Sequence, residues 1–154
     1  MRYLFLLTLL LSFLHAEQDV KKVVYDLTTS DIGAFKQKLL SGVANNKGYY
    51  EGKLQELEVA VVIHGDAYKF FIEELKNSAY KDEKELFSQQ KELKQRITSL
   101  ATNYHVEFLM CGSGMKKIQL TKEQIYPFIQ IVPNAAIGLI DKQNEGYAYL
   151  PIAH

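Results

Sequence analysis

The sequence predicts a layered α/β domain with a mostly parallel sheet flanked by helices, and three observations carry that prediction. Short β-branched runs alternate with longer amphipathic segments, in the order strand, helix, strand, helix, strand, helix, strand. One run, Glu58 to Ile63 (EVAVVI), is almost continuously apolar, as a strand buried on both faces must be. The stretch from Asp82 to Thr102 is long, charged and amphipathic, with Leu86, Leu93, Ile97 and Leu100 on one side. That is the pattern of a helix laid on a sheet, its charges forming a solvated face.

Each element follows from its own signals. Lys22 to Leu27 (KVVYDL) is a first strand, and Thr28-Thr29-Ser30-Asp31 offers helix N-caps directly after it. Phe35, Leu39, Leu40 and Val43 recur at helical spacing and place a helix over 31–46, stopped by Asn45-Asn46-Lys47-Gly48. The second strand closes at His64-Gly65-Asp66, and a helix through Phe70, Phe71, Ile72 and Leu75 is expected next. Val106 to Met110 is a third strand, and Thr121-Lys122-Glu123-Gln124 opens a helical segment interrupted near Pro127. Ala135 to Ile140 and Tyr147 to Leu150 read as two more strands. The link between them, Asp141 to Gly146, is too short for the crossover that parallel neighbours need, so the last strand is expected to run antiparallel. Tyr147 and Tyr149, flanking Ala148, should then share one face.

The first sixteen residues carry an export pattern. Arg2 is followed by the apolar run Leu4 to Leu14, and Ala16 precedes the polar Glu17-Gln18-Asp19. The run is shorter than the roughly 20 residues of a membrane span, so 1–16 reads as a signal peptide and 17–154 as one domain. No stable membrane span is expected after its removal, and the expected location is the periplasm. Of 154 residues, removing 16 leaves 138; of 18 Lys and Arg, Arg2 is lost, leaving 17 against 18 Asp and Glu. A net charge near −1 draws no polyanion, so nucleic acid is not an expected partner.

Cys111 is the only cysteine, so no internal disulfide forms, and a single thiol in an exported chain is either sheltered or chemically used. In an open α/β sheet reactive groups gather at the carboxyl ends of the strands. Two stretches fall there, His64-Gly65-Asp66 and Cys111-Gly112-Ser113-Gly114. Gly112 and Gly114 free the backbone to turn N–H groups toward the sulfur, and Lys116 and Lys117 add positive charge nearby; both effects favour a thiolate. Packing is an equal contender, since cysteine is among the most buried residue types. His64 likewise either satisfies a backbone group or moves a proton. The histidines, at 15, 64, 105 and 154, lack metal-ligand spacing. No phosphate-binding or dinucleotide fingerprint and no Gly-x-Ser-x-Gly element is present, so no metal or cofactor is implied.

Taken together, KVVYDL, GVANN, LEVAVVIHGDA, HVEFLMCGSGM and VPNAAIGLIDKQNEGYAYLP, in this order and spacing, resemble the DsrE/DsrF-like family, specifically an exported branch of that sulfur-relay superfamily. The resemblance covers nearly all of 17–154. It implies the DsrE-like α/β fold, assembly as a homo- or hetero-oligomer, and, as in characterised relay branches, a persulfide carried on cysteine. Cys111 stands where members of this branch have a cysteine at the end of the third strand. Many relatives continue Cys-x-Asn-Thr/Ser-Met, whereas here Ser113 and Gly114 precede Met115.

The resulting expectation is a periplasmic sulfur-handling protein, a sulfurtransferase or sulfur carrier. Cys111 would accept and pass sulfane sulfur as a persulfide. Gly112, Ser113, Gly114 and Gly65 would cradle the anion, and His64 would assist proton transfer. The expected partners are further copies of the chain and a donor or acceptor of sulfur. The alternative is a non-catalytic oligomeric module binding a small anion or a partner protein in the same crevice. A self-contained thiol oxidoreductase ranks below both, because no resolving cysteine exists. Terminal sequencing of the exported protein should find Glu17 first; Met1 retained on a membrane-extracted protein would refute the export reading.

Overall fold

The computed structural model describes residues 20–153; the expected signal segment, 1–16, lies outside them. Five strands form one sheet: β1 (Lys21–Leu27), β2 (Leu57–Ile63), β3 (Glu107–Cys111), β4 (Gln130–Val132) and β5 (Ala148–Ile152), in the order β4-β3-β2-β1-β5. All four pairings are parallel. Among the described residues no helix is long and apolar enough to cross a membrane.

β1 to β2 is connected by a continuous helical run, α1 (Ile32–Ala34), a π-helical stretch Phe35–Ser41 and α2 (Gly42–Glu51). The Asp31 carboxylate caps its start, accepting from the Ala34 N–H at 2.5 Å. β2 to β3 passes through two 3-10 turns, Gly65–Phe71 and Leu75–Asn77, and then α3 (Lys84–Thr102). The α-helix expected through Phe70 and Leu75 is thus a tighter coil. It buries Ala67, Tyr68, Phe70 and Phe71 in succession, too many neighbours for a one-sided helix. α4 (Gly112–Lys117) and a 3-10 turn at Lys122–Gln124 lead from β3 to β4, and α5 (Ala135–Asn144) leads from β4 back to β5.

Two expectations about the C-terminal region are corrected. Ala135 to Ile140 is not a strand but the body of α5, capped by the Asn134 side chain, which accepts from the Ile137 N–H at 3.0 Å. The last strand is not antiparallel: β5 pairs with β1 in parallel, Val24 opposite Tyr149 and Leu27 opposite Ile152. The crossover from β4 to β5 is therefore a full helix, long enough to span β3, β2 and β1. The strand β4 itself, three residues long and mostly exposed, was not expected from the sequence.

The sheet's two faces are covered unequally. One holds the main core, where Phe35 stacks on Phe70 with ring centroids 4.1 Å apart and Phe71 bridges Phe35 to Phe108. The other has only α5, which packs Ala135 and Leu139 on Val24, Ala60, Val62 and Leu109. At its far end α5 is pinned by Lys142, paired with Glu107 at 2.6 Å and Glu145 at 3.0 Å. Tyr147 lies on this same face and donates to Glu58 at 2.9 Å. Because the Ile152 carbonyl faces β1, accepting from Thr28 and Thr29, strand alternation turns Pro151 toward the free edge of β5, where its missing N–H discourages a further strand.

Helix ends here use left-handed residues other than glycine. After α2 the Gln55 N–H reaches the Tyr50 carbonyl and the Leu54 N–H reaches Glu51, a Schellman closure with Leu54 at φ 56°. Leu54 is 90% exposed, so nothing compensates its backbone strain. Leu54→Gly should stabilise the domain by about 0.5–1 kcal/mol, the αL relief outweighing glycine's extra unfolded-state entropy. Gly65, at φ +62°, should show the opposite sign: Gly65→Ala should cost about 1–2 kcal/mol. Thermal melts of the two variants check both signs.

Candidate functional site

Connections leave the carboxyl ends of β3 and β4 toward opposite faces. α4 turns to the main-core side, where Met115 is buried, and α5 turns to the other. Adjacent parallel strands whose connections part in this way open a crevice, the usual ligand position in such sheets. Cys111 ends β3 at that crevice and is the residue from which α4 starts.

The thiol is 6% exposed and counts with the core, yet its sulfur is surrounded by polar donors. Ser113 Oγ lies 3.2 Å from Sγ, and the N–H groups of Gly114 and Ala135 and the Tyr68 hydroxyl stand close enough to favour its anion. Burial pushes the Cys111 pKa up; the hydrogen bonds from Ser113, Gly114, Tyr68 and Ala135 outweigh it, and the result lies below the ordinary thiol value. Ser113 is itself exposed, so the sulfur sits just beneath a rim that meets solvent.

The glycines beside the sulfur have steric reasons. An added Cβ on Gly112 would sit 3.0 Å from both Ile131 Cγ2 and the Val132 carbonyl, so glycine lets α4 start hard against β4. The Ser113 N–H then reaches the Pro133 carbonyl at 3.1 Å and ties the two chain segments together. At Gly114 an added Cβ would overlap the Tyr68 hydroxyl and lie 2.9 Å from its Cζ. Glycine there is the slot through which Tyr68 reaches Cys111, donating also to its carbonyl at 2.9 Å. Burial first, and then the neighbouring Cys111, push the Tyr68 pKa up, so it stays a donor.

Of the residues singled out from the sequence, Ser113 and Gly114 touch the sulfur, while Gly112 shapes the approach. Gly65 turns the chain out of β2, with its Cβ position facing Thr28. Lys116 and Lys117 are exposed in the last turn of α4 and are not among the main causes of the thiol's shift. His64 continues β2 in extended conformation, and its Nε2 lies 2.6 Å from Asp26 Oδ1, so its partner is on β1 and not the thiol. Tyr68, Ala135 and Asp26 were not foreseen. Tyr68 and Ala135 come from segments 43 and 24 residues away from Cys111 in sequence, and only the fold brings them there. The one local hint was Pro133-Asn134, a helix start lying directly before the run Ala135 to Ile140 that reads as a strand.

Comparison with known proteins agrees with this architecture. The chain is 28% identical over 153 residues to an uncharacterized protein of Aquifex aeolicus, covering 98% of this chain and 64% of that protein. It therefore spans somewhat less than two thirds of that relative's length. The solved structure of MTH1491 from Methanobacterium thermoautotrophicum, a protein of unknown function, superposes with a TM-score of 0.59 at 16% identity, covering 85% of this chain and 98% of that one. That likeness shows the fold. The DsrE/DsrF-like family model matches residues 21–152, from the first residue of β1 to the last of β5, so the chain belongs to the DsrE/DsrF-like family and is tied by it to sulfur-relay-related roles.

Proposed function

We propose that the chain is a periplasmic sulfur-handling protein in which Cys111 accepts sulfane sulfur as a persulfide and passes it to an acceptor thiol. The observation that carries this reading is a buried sulfur at the β3/β4 crevice with Ser113 Oγ 3.2 Å away and Gly114, Tyr68 and Ala135 gathered beside it. A thiolate is the form that attacks a sulfur donor, and a persulfide leaves the same negative charge one atom further out. Donors that hold the first anion are placed to hold the second. The exposed Ser113 marks where a partner's sulfur would approach. Oligomerisation belongs to the same proposal; exposed Ile137, Ile140, Tyr149 and Leu150 provide apolar surface for it.

Alkylation of the folded protein by iodoacetamide should proceed with a midpoint below the ordinary thiol pKa of about 8.5. Tyr68→Phe and Ser113→Ala should each move that midpoint upward, because each removes a donor from the anion. A depressed folded-state pKa means the unfolded chain binds more protons, so the thiol's contribution to stability rises with pH. It is present in full above about 8.5 and lost as pH falls through the folded value; Cys111→Ser should lack this rise. The same serine variant should otherwise melt near the wild type, since its hydroxyl meets the same partners.

Incubation with glutathione persulfide should add the mass of one sulfur atom to the wild type and nothing to Cys111→Ser. A protein that resists alkylation until unfolded and never gains sulfur would refute the reading and favour a binding module in this crevice.

A further inference from the structure

The carboxyl ends of three neighbouring strands carry a second polar system beside the thiol. Strand alternation carries Val24 to Asp26 and Val62 to His64 on the face that α5 covers, and Cys111 ends β3 beside them, packed with the main core. The pairing of β2 with β3 ends at Ile63 opposite Met110, so the next residues, His64 and Cys111, leave neighbouring strand ends side by side, with the strands themselves about 4.8 Å apart. On its other side His64 Nε2 meets Asp26 Oδ1 at 2.6 Å, and the second oxygen of that carboxylate accepts from the Tyr149 hydroxyl at 2.6 Å. Asp26 is largely enclosed, at 15% side-chain exposure, while the His64 side chain retains 29%.

A carboxylate with one oxygen on an imidazole and the other on a phenol is held in one orientation, and it holds the ring in one orientation in turn. Nε2 is committed to Asp26, which leaves Nδ1 as the working atom of the ring. His64 does not belong to the group of donors around Sγ, so the thiolate does not depend on it. What a proton carrier beside a thiolate can serve is the group that leaves when the sulfur is attacked.

We propose that Asp26 and Tyr149 are positioning residues that fix His64 so that its Nδ1–H protonates the thiolate expelled from a sulfur donor at Cys111. The proposal rests on the persulfide reading above. Cys111 Sγ, as thiolate, attacks the outer sulfur of a donor R–S–SH; the Sγ–S bond forms and the donor S–S bond breaks. The outer sulfur keeps its proton and becomes Cys111–S–SH, while R–S⁻ leaves with the bonding pair and takes the Nδ1 proton of the His64 imidazolium, which keeps its Nε2 proton on Asp26 and regains the other from solvent. No external oxidant or reductant enters. The same balance holds when a disulfide R–S–S–R is attacked, giving Cys111–S–S–R and R–SH.

The test compares leaving groups, which a merely structural role would not distinguish. The aromatic thiolate of 5,5′-dithiobis(2-nitrobenzoate) departs without a proton, whereas the alkyl thiolate of hydroxyethyl disulfide benefits from one, since a lower leaving-group pKa means faster departure. His64→Gln and Asp26→Asn should slow reaction with the alkyl disulfide by roughly a hundred-fold, the lower end of what general acid catalysis contributes. Tyr149→Phe, at an exposed residue where the ring is kept, should slow it less, and all three should react with the aromatic probe at the wild-type rate. Equal losses on both probes, no loss on either, or a wild type inert to both would overturn the proposal. Sulfur gain from glutathione persulfide is read separately. A leaving-group split without sulfur gain upholds the relay and sinks the persulfide reading, and sulfur gain without a split does the reverse.

Discussion

The site depends on how an all-parallel sheet can be closed. Parallel neighbours need right-handed crossovers, so a chain that steps β1, β2, β3, β4 in one direction keeps its helices on one face. To return and pair β5 with β1 it must cross back over the other face, and α5 is that crossing. The consequence falls at β3 and β4, where two helices start side by side and diverge. Their first N–H groups, from Gly114 and Ala135, aim at the same point, and the residue there is Cys111. Had Ala135 to Ile140 been a strand with the last strand antiparallel beside it, as the short-link reading implied, no second helix would start at the thiol.

The environment that results is contradictory only at first sight. Six per cent exposure ordinarily favours the neutral thiol, and an ion buried without partners costs several kcal/mol. Hydrogen bonds to a charged group contribute about 1.5–3 kcal/mol each, so four of them offset a penalty of that size. Burial and anion stability are therefore compatible here. The arrangement is demanding about sequence. Gly112 must let α4 start against Ile131 and Val132, and Gly114 must let Tyr68 through. Larger residues would move the N–H groups or the phenol away from the sulfur.

What could be read from the chain alone follows from how local each signal is. EVAVVI, the amphipathic Asp82 to Thr102 run and the Cys-Gly-Ser-Gly strand end are complete within their own windows, and all three lie where they were expected. AAIGLI failed because six apolar residues fit a buried strand or a one-sided helix equally well; its decisive feature, the Asn134 cap, is one residue outside the run. That error propagated, since reading α5 as a strand also forced the antiparallel guess for β5. At the site Gly112 and Gly114 were marked for conformational freedom, whereas the fold uses them for close approach by β4 and Tyr68, which no local pattern encodes. Lys116 and Lys117 were weighed for charge, yet helical spacing carries both to the exposed end of a six-residue helix.

Two charge systems thus lie one strand apart and divide the labour of sulfur chemistry between them. Around Cys111 the donors are backbone N–H groups and hydroxyls, which stabilise an anion but hold no readily transferable proton. Across the strand gap, Asp26, His64 and Tyr149 form a set with a carboxylate at its centre and an imidazole, the side chain suited to proton exchange near neutrality, at its open side. Placing the imidazole against the sulfur would have made an ion pair and committed its proton there. Binding it instead to β1 leaves the thiolate to the cradle and the proton to whatever is displaced from it. That separation is built into strand order: His64 directly follows β2, between Asp26, its carboxylate partner on β1, and Cys111 at the end of β3.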